Sequence, residues 1–267
     1  SPIPPAAYAP GTPILPSVVL TTADREEVLA SMKRFAEEEG GGGLPIQMEI
    51  CEGSAVAEIL ARASAMPGDL IVMGTHGRSG FERLVLGSVT EKVLRKAACP
   101  VLSVPRHVKD AVPLPPVLFK NILCAIDFSD CSTNALNYAM SLAQEADARL
   151  TVLHVLALLP ELPPSSSEAV RAWPTHVTEY IAEAEQDCRD RLKAAVPEDV
   201  KSFCAVETVL ANGTPYREIL RVAAEQHSDL IVVGIHGRSA TDLLFFGSTA
   251  QHVVRQATCP VLTLRRG

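Results

Sequence analysis

The chain has 267 residues, 47% of them hydrophobic, and a formal net charge of −7, so it has enough apolar material for two cores and no basic excess for a nucleic-acid surface. Its apolar runs end after about eight residues, too few for a membrane-spanning helix, and residues 1–16 lack the pattern of a signal peptide. Seven cysteines without CxxC spacing favour reduced, buried thiols in a cytoplasmic protein, with a redox role for Cys131 as the alternative.

The first half of the chain alternates helix and strand. The predicted elements are a helix at 24–39, strands at 46–51 and 69–74, a helix from residue 88 and a closing strand at 101–104. Residues 108–118 contain three prolines and are typical of a linker. The sequence therefore predicts a first domain at 1–107 and a second at 119–267.

The second half has the fuller pattern. Its predicted strands are 121–127, 149–155, 201–210, 229–234 and 261–264, separated by helices at 132–146, 176–195, 215–225 and 248–257. Five short strands alternating with helices imply an α/β fold with a parallel, doubly wound sheet. Ligands of such sheets bind at the carboxyl ends of the strands.

A glycine loop occurs twice, 160 residues apart. The first copy is Gly74, Gly77, Gly87 and Ser88, and the second is Gly234, Gly237, Gly247 and Ser248. Each follows an apolar strand and leads into a helix, an arrangement that holds phosphate. A side chain at the first two glycines would obstruct a ligand on the loop, while Arg78 and Arg238 would add positive charge. The pattern therefore favours a nucleotide as the ligand.

The duplication is not complete. Eight of the ten residues at 69–78 match those at 229–238, but the offset places the counterparts of residues 121–155 before residue 1. The first domain therefore lacks two strands and one helix. We expect that truncation or omission accounts for this difference; the alternative is that another source supplies the segment.

The second half resembles the universal stress protein family. The residues that carry the resemblance are the strand 121–127 with Asp127 at its end, Leu153-His154-Val155, the glycine loop with Gly247-Ser248, and the ending Cys259-Pro260-Val261-Leu262. The resemblance extends to about residues 7–105 of the first half. It implies a tandem member with a Rossmann-like, adenine-nucleotide alpha-hydrolase-like fold, which in this family is a sheet of five parallel strands.

Members of this family with the glycine pattern bind ATP, so the resemblance implies ATP as the cofactor, with Mg²⁺ as its usual companion. It places Asp127 beside the adenosine and Val155 in the adenine pocket. The implied contacts in the second half are Ala125, Asp127, Val155, Gly234, His236, Gly237, Arg238, Gly247, Ser248 and Thr249. Those in the first half are Gly74, His76, Gly77, Arg78, Gly87, Ser88 and Val89, and no residue there matches Asp127 or Val155.

Simpler interpretations remain for several of these residues. Asp127 is also placed to cap the helix that follows, and Ser248 is suited to capping as well. His76 and His236 repeat without a metal-spaced partner, so a structural role in the loop is the alternative to ligand contact. No metal site is expected from the protein's own residues.

Three functions follow from these patterns. The first is a nucleotide-responsive stress or regulatory protein with slow or no ATP hydrolysis, since no Walker motif or catalytic triad is present. The second is an interaction module with a vestigial nucleotide site, and the third is a slow ATPase or adenylating enzyme. In the family the closing strands pair across a dimer, so strands 101–104 and 261–264 are expected to form an intramolecular pseudo-dimer, with a homodimer as a further expectation.

Overall fold

The computed structural model describes residues 21–38, 45–66, 69–75, 86–105, 119–157, 175–235 and 246–265. The chain separates into two compact units, residues 1–58 and 59–267. The predicted linker at 108–118 lies outside the described residues, so the division into domains at that point stays a prediction. No helix in the described ranges is long and apolar enough to cross a membrane.

The described ranges contain eight helices and seven strands. The helices are α1 (Thr22–Glu38), α2 (Ala55–Ala65), α3 (Ser88–Lys96), α4 (Asp130–Ala146), α5 (Thr175–Ala195), α6 (Glu198–Phe203), α7 (Pro215–Glu225) and α8 (Ser248–Gln256). The strands are β1 (Ile71–Gly74), β2 (Val101–Val104), β3 (Asn121–Ala125), β4 (Arg149–Leu156), β5 (Val206–Asn212), β6 (Leu230–Gly234) and β7 (Val261–Leu264).

The first unit contains helix α1, whose start is fixed by a reciprocal cap. The Thr21 amide and hydroxyl donate to Asp24 Oδ2 at 2.9 and 2.7 Å, and the Asp24 amide donates to Thr21 Oγ1 at 3.2 Å. These bonds from Thr21 hold the pKa of Asp24 below its usual value. In the same unit Arg25 forms an ion pair with Glu52. Local sequence is therefore sufficient to set where α1 begins.

The second unit is built on one sheet with the strand order β1-β2-β7-β6-β3-β4-β5. The five strands from β7 to β5 all run parallel, with β3 at the centre between β6 and β4. The α/β class and the parallel, doubly wound sheet of the second half are confirmed. The central position of β3 follows from its sequence, because its middle residues are apolar and buried on both faces.

The closing strands of the two repeats pair with each other. Strands β2 and β7 run antiparallel, with Val101 opposite Thr263 and Ser103 opposite Val261. Thr263 Oγ1 donates to the Val101 carbonyl at 3.1 Å. This pair is the one antiparallel contact among the described strands, and it joins β1 and β2 to the five parallel strands as a single sheet.

Helix α4 provides the main cover of the sheet. Its alanines pack with Leu136 and Met140 against buried residues of β3, β4, β6 and β7. Small side chains recur along its buried face, so the helix can approach the sheet closely. Lys120 Nζ donates to the Ala146 carbonyl at 2.6 Å and so binds the end of α4 to the start of β3.

One glycine position that the two repeats share requires a left-handed backbone conformation. Gly53 has a φ of +124° and Gly213 a φ of +140°, before α2 and α7 respectively. Any residue with a Cβ would be strained there. The repeated glycine at this position is therefore explained by the turn that precedes the helix.

Two predicted elements are wrong. Residues 46–51 do not form a strand; β5, which corresponds to them, pairs with β4 along its whole length, and no strand equivalent to β4 lies among the described residues of the first repeat. An apolar segment without a neighbouring strand has no acceptors and donors for its backbone. The predicted strand at 201–210 begins only at Val206, because residues 198–203 form the short helix α6.

Candidate functional site

A cavity of about 310 Å³ opens at the carboxyl ends of β3, β4 and β6. Seven residues predicted from the sequence lie together in its lining: Ala125, Asp127, Val155, Gly234, Gly247, Ser248 and Thr249. The sequence did not indicate Pro215 and Ile219, which α7 contributes to the same wall. The only available signal was the amphipathic pattern of α7, whose Ile219 is buried. The structure thus brings the second-half residues to one site, while their role in binding stays a prediction.

Asp127 orients the start of α4 without being its cap. Asp127 Oδ1 accepts from the Ser129 hydroxyl at 2.6 Å and from the Ser129 amide at 3.1 Å. Ser129 is the N-cap residue, and its Oγ accepts from the Ser132 amide at 3.3 Å. The capping interpretation of Asp127 is therefore wrong in detail, because the cap lies two residues later. The carboxylate still lines the cavity.

The backbone beside Asp127 is fixed by a side chain whose role sequence reasoning missed. His154, buried on β4, lies with Nδ1 2.8 Å from the Ile126 carbonyl oxygen. A carbonyl only accepts, so Nδ1 carries the hydrogen of this bond. Phe128 has a left-handed φ of +63°. The centroid of its ring lies 4.6 Å from that of the His154 ring, and the guanidinium of Arg191 lies over the Phe128 ring. The sequence signal for this contact was a histidine inside an apolar strand, because a buried polar group needs a hydrogen-bond partner.

Gly234 is required by the packing of α4. A Cβ on Gly234 would lie 3.0 Å from the carbonyl carbon of Cys131 and from the amide nitrogen of Ser132. The sequence suggested that this glycine leaves room for a ligand; the structure shows that it also leaves room for the first turn of α4. In that turn the Cys131 thiol is buried and donates to the Leu264 carbonyl at 3.2 Å.

The start of α8 forms the wall opposite Asp127. Gly247 is the N-cap residue, and no side chain of the described residues caps the first amides of the helix. A Cβ on Gly247 would lie 2.8 Å from the Ile235 carbonyl oxygen, which accepts from the Gly247 amide at 2.9 Å. Ser248 and Thr249 follow in the first turn, which contains no acidic residue. Uncapped helix amides with two hydroxyl side chains favour an anion at this position.

The first repeat reproduces this helix start. Gly87 has φ −57° and ψ 135°, and Gly247 has φ −58° and ψ 138°; Ser88 and Val89 follow Gly87 as Ser248 and Thr249 follow Gly247. The Thr90 hydroxyl also donates to the Gly74 carbonyl at 3.0 Å. The helix start of the pattern is thus present twice, whereas Asp127 and Val155 have no counterparts in the described ranges of the first repeat.

Six predicted contacts lie outside the described residues: His76, Gly77, Arg78, His236, Gly237 and Arg238. Their roles stay predictions. Within the described ranges, no group of three or more His, Cys, Asp or Glu residues could hold a metal ion.

All seven cysteines are free. Burial raises the pKa of the Cys259 thiol to about 11 and raises that of Cys124 further. Both therefore stay protonated near neutral pH, and a protonated thiol is a poor nucleophile. These two cysteines serve packing.

Comparison with known proteins gives consistent results. The model of the universal stress protein family matches residues 4–105 and 118–265. Universal stress protein YxiE of Bacillus subtilis is 36% identical over 149 residues, which are 55% of this chain and 100% of that protein. Universal stress protein Mb2028c of Mycobacterium bovis is 27% identical over 244 residues, or 90% of this chain and 76% of that protein.

Solved structures show the same fold. The crystal structure of a universal stress protein from Archaeoglobus fulgidus has a TM-score of 0.61 at 24% identity, and it covers 94% of this chain and 84% of that one. A putative universal stress protein from Pseudomonas aeruginosa has a TM-score of 0.62 at 20% identity, with 89% and 78% covered. At these identities the likeness concerns the fold alone.

Proposed function

The chain belongs to the universal stress protein family, and from that premise we propose that it is a cytoplasmic regulatory protein that binds one ATP in the cavity of its second repeat. The observation that carries the proposal is the cavity itself. It combines an apolar wall, a carboxylate and an uncapped helix N-terminus at the carboxyl ends of parallel strands, where ligands of such sheets bind.

The two walls of the cavity suit the two ends of a nucleotide. Val155, Leu153 and Ala125 offer an apolar surface for the adenine base. Asp127 is placed to accept from ribose hydroxyls, since a carboxylate has lone pairs beyond the two bonds it accepts from Ser129. These residues fit an adenosine by chemical type.

The start of α8 suits the phosphates. Ser248 and Thr249 bring hydroxyl and amide donors, and Gly247 keeps the backbone of the turn close to Ile235. A phosphate there meets the N–H groups of the first helical turn, which lack a partner within the part of the chain that the structure describes, and the positive end of the helix dipole. Mg²⁺ would arrive with the phosphates, because Mg²⁺ usually binds through substrate phosphates and few protein carboxylates.

The described lining favours binding over fast hydrolysis. Asp127 is its one carboxylate, and that side chain is engaged with the N-cap residue of α4. A general base needs to reach the attacking water in the correct protonation state. We therefore propose that ATP stabilises one conformation of the protein and is turned over slowly or not at all.

A second function has its own support. Strands β2 and β7 pair across the two repeats through bonds within the chain itself, which favours an interaction module organised as an intramolecular pseudo-dimer. This function predicts that the assembly state is the same with and without ATP.

The deciding experiment measures nucleotide directly. Purified protein is denatured and the released nucleotide quantified, and the emptied protein is then titrated with Mg-ATP by calorimetry. We expect one site per chain. Asp127→Ala should remove nearly all binding, whereas Ser129→Ala, which loses the cap but keeps the carboxylate, should weaken it less than threefold.

Two results would contradict the proposal. Intact protein that binds no ATP at millimolar concentration would leave the interaction module as the function. Equal losses in Asp127→Ala and Ser129→Ala would mean that the carboxylate acts only through the start of α4.

A further inference from the structure

Strand β1 exposes an apolar face. The equivalent face of β6, its counterpart in the second repeat, is buried. Val72 is 60% exposed and Leu70 is 41% exposed. Their counterparts Val232 and Leu230 are both 0% exposed, because they pack in the core beneath α4 and beside β3. The same side chains are therefore core residues in one repeat and surface residues in the other.

The backbone of β1 also has an open edge. The Ile71 and Thr75 amides donate to the Pro100 and Val104 carbonyls, both at 3.0 Å. Alternate residues of a strand bond to opposite sides, so the amides of Val72 and Gly74 face away from β2. Among the described strands β1 pairs with β2 alone, whereas β6 pairs on its second edge with β3.

A carboxylate at the start of β1 repeats a contact that holds β3. In the second repeat, Asp229 accepts from the Lys120 amide at 2.7 Å and from the Asn121 amide at 3.1 Å. Asp229 thereby fixes the first backbone donors of the added strand. Asp69 is the counterpart of Asp229 in sequence, and it is exposed. Neither of the two bonds that Asp229 accepts has an equivalent at Asp69 among the described residues.

The end of β1 repeats the contact with the following helix. A Cβ on Gly234 would lie 3.0 Å from the backbone of the first turn of α4, so a larger residue would push that turn away. Gly74 holds the same position on β1, and it is exposed. The edge of β1 thus keeps, in order, the carboxylate, the apolar face and the glycine that together hold β3 and α4.

We propose that the β1 edge is a docking site for a strand–helix segment with the chemistry of β3 and α4. An uncharged apolar strand would pair parallel to β1, with its first backbone amides donating to Asp69. The first turn of the helix that follows would lie against Gly74. The docked strand continues the existing sheet beyond β1 in the way that β3 continues it beyond β6.

The charges of the site support this occupant. Asp69 is the one ionisable side chain at 69–74. An uncharged strand therefore meets no charge along the edge except at its own start, where its backbone donors are attracted to Asp69. An apolar edge strand without charges is also what natural sheets avoid leaving open. A second copy of the chain, paired edge to edge through β1, would cover the strand but would leave Asp69 without such donors.

The test uses a peptide of residues 119–146 of this chain as the probe, labelled with a fluorophore and kept reduced. Its binding to the full chain is measured by fluorescence anisotropy. We expect a saturable 1:1 complex that weakens at least tenfold with Val72→Lys and at least threefold with Asp69→Asn. Thr208→Lys, on the opposite edge strand β5, is the matched control and should change the affinity less than twofold; a peptide of scrambled sequence should not bind.

Hydrogen exchange gives a second measurement that non-specific adhesion would not reproduce. The bound peptide should slow exchange of the Val72 and Gly74 amides at least tenfold. No saturable binding at 100 μM peptide, or equal binding by Val72→Lys, would overturn the proposal. A third result would also overturn the proposal, because it would show that a second copy occupies the edge. In that case the chain alone is a dimer, Val72→Lys makes it a monomer, and the peptide does not dissociate the dimer.

Discussion

The two repeats contain the same glycine loop and helix start in very different surroundings. At Gly87 and Gly247 the backbone angles agree within a few degrees, yet only the second loop borders a cavity with Asp127 and Val155. The loop residues alone therefore do not form such a cavity. Strands β3 and β4 are needed as well, because their carboxyl ends supply its apolar wall.

The strand before each loop gives the same contrast in packing terms. Strands β1 and β6 have nearly the same sequence, but β6 is central and β1 lies at an edge. Burial is thus a property of the neighbours and not of the strand sequence. Matched substitutions at equivalent positions can test this difference directly.

The largest expected effect is on stability. Leu230→Ala should lower the free energy of unfolding by about 2–5 kcal/mol, because it leaves a cavity in the core. Leu70→Ala, at the equivalent and partly exposed position, should cost less than about 1 kcal/mol. Urea denaturation followed by far-UV circular dichroism measures both. Similar losses in the two variants would mean that β1 is covered in solution.

The next effect concerns nucleotide binding. Ser248→Glu puts a negative charge where the phosphates are proposed to lie and should weaken ATP binding at least 100-fold, or about 2.7 kcal/mol. Ser88→Glu makes the same change at the same helix position and should alter the affinity less than twofold. Glutamate is favourable at a helix start, so neither variant should lose stability. Calorimetric titration decides, and a large loss with Ser88→Glu would place nucleotide in the first repeat.

A smaller effect is expected for the carboxylates that precede β1 and β6. Asp229→Asn weakens two charge-assisted bonds to the start of β3 and should cost about 1–3 kcal/mol of stability. Asp69→Asn should cost less than about 0.5 kcal/mol in the chain alone. Thermal unfolding of both variants makes the comparison. A cost for Asp69→Asn equal to that for Asp229→Asn would show that Asp69 is already engaged.

The smallest effect depends on pH. Burial raises the pKa of Cys259 to about 11 from its ordinary value of 9.0, so between these values the unfolded chain loses its thiol proton before the folded chain does. The contribution of this thiol to the free energy of unfolding is therefore fully present below pH 9. It falls as the pH rises, by about 1.4 kcal/mol at pH 10. Cys259→Ser should show a correspondingly shallower decline in urea denaturation from pH 8 to 10. Identical slopes would mean that the thiol is accessible to water.

The sequence was sufficient for the features that short-range patterns determine. Apolar runs and helical spacing located β3, β4, β6 and α4, and the 160-residue repeat located both helix starts. It failed at residues 46–51, because the pattern of a strand does not state whether a neighbour exists to pair with it. It also missed the bond between His154 and the Ile126 carbonyl, which depends on a parallel register that only the folded sheet provides.

The pairing of β2 with β7 has a consequence for the order in which the molecule can be completed. In the bond from Thr263 to Val101, 162 residues separate the two partners along the chain. At a synthesis rate of about 5–20 residues per second, β2 leaves the ribosome roughly 8–30 s before β7 exists. During that interval β1 and β2 can form only a two-stranded ribbon, which is marginally stable in water. Strand β7, which is made long after β2, is therefore the one that joins the first repeat's strands to the rest of the sheet. A nascent chain stalled before residue 261 holds β2 as an exposed apolar strand that a chaperone could bind.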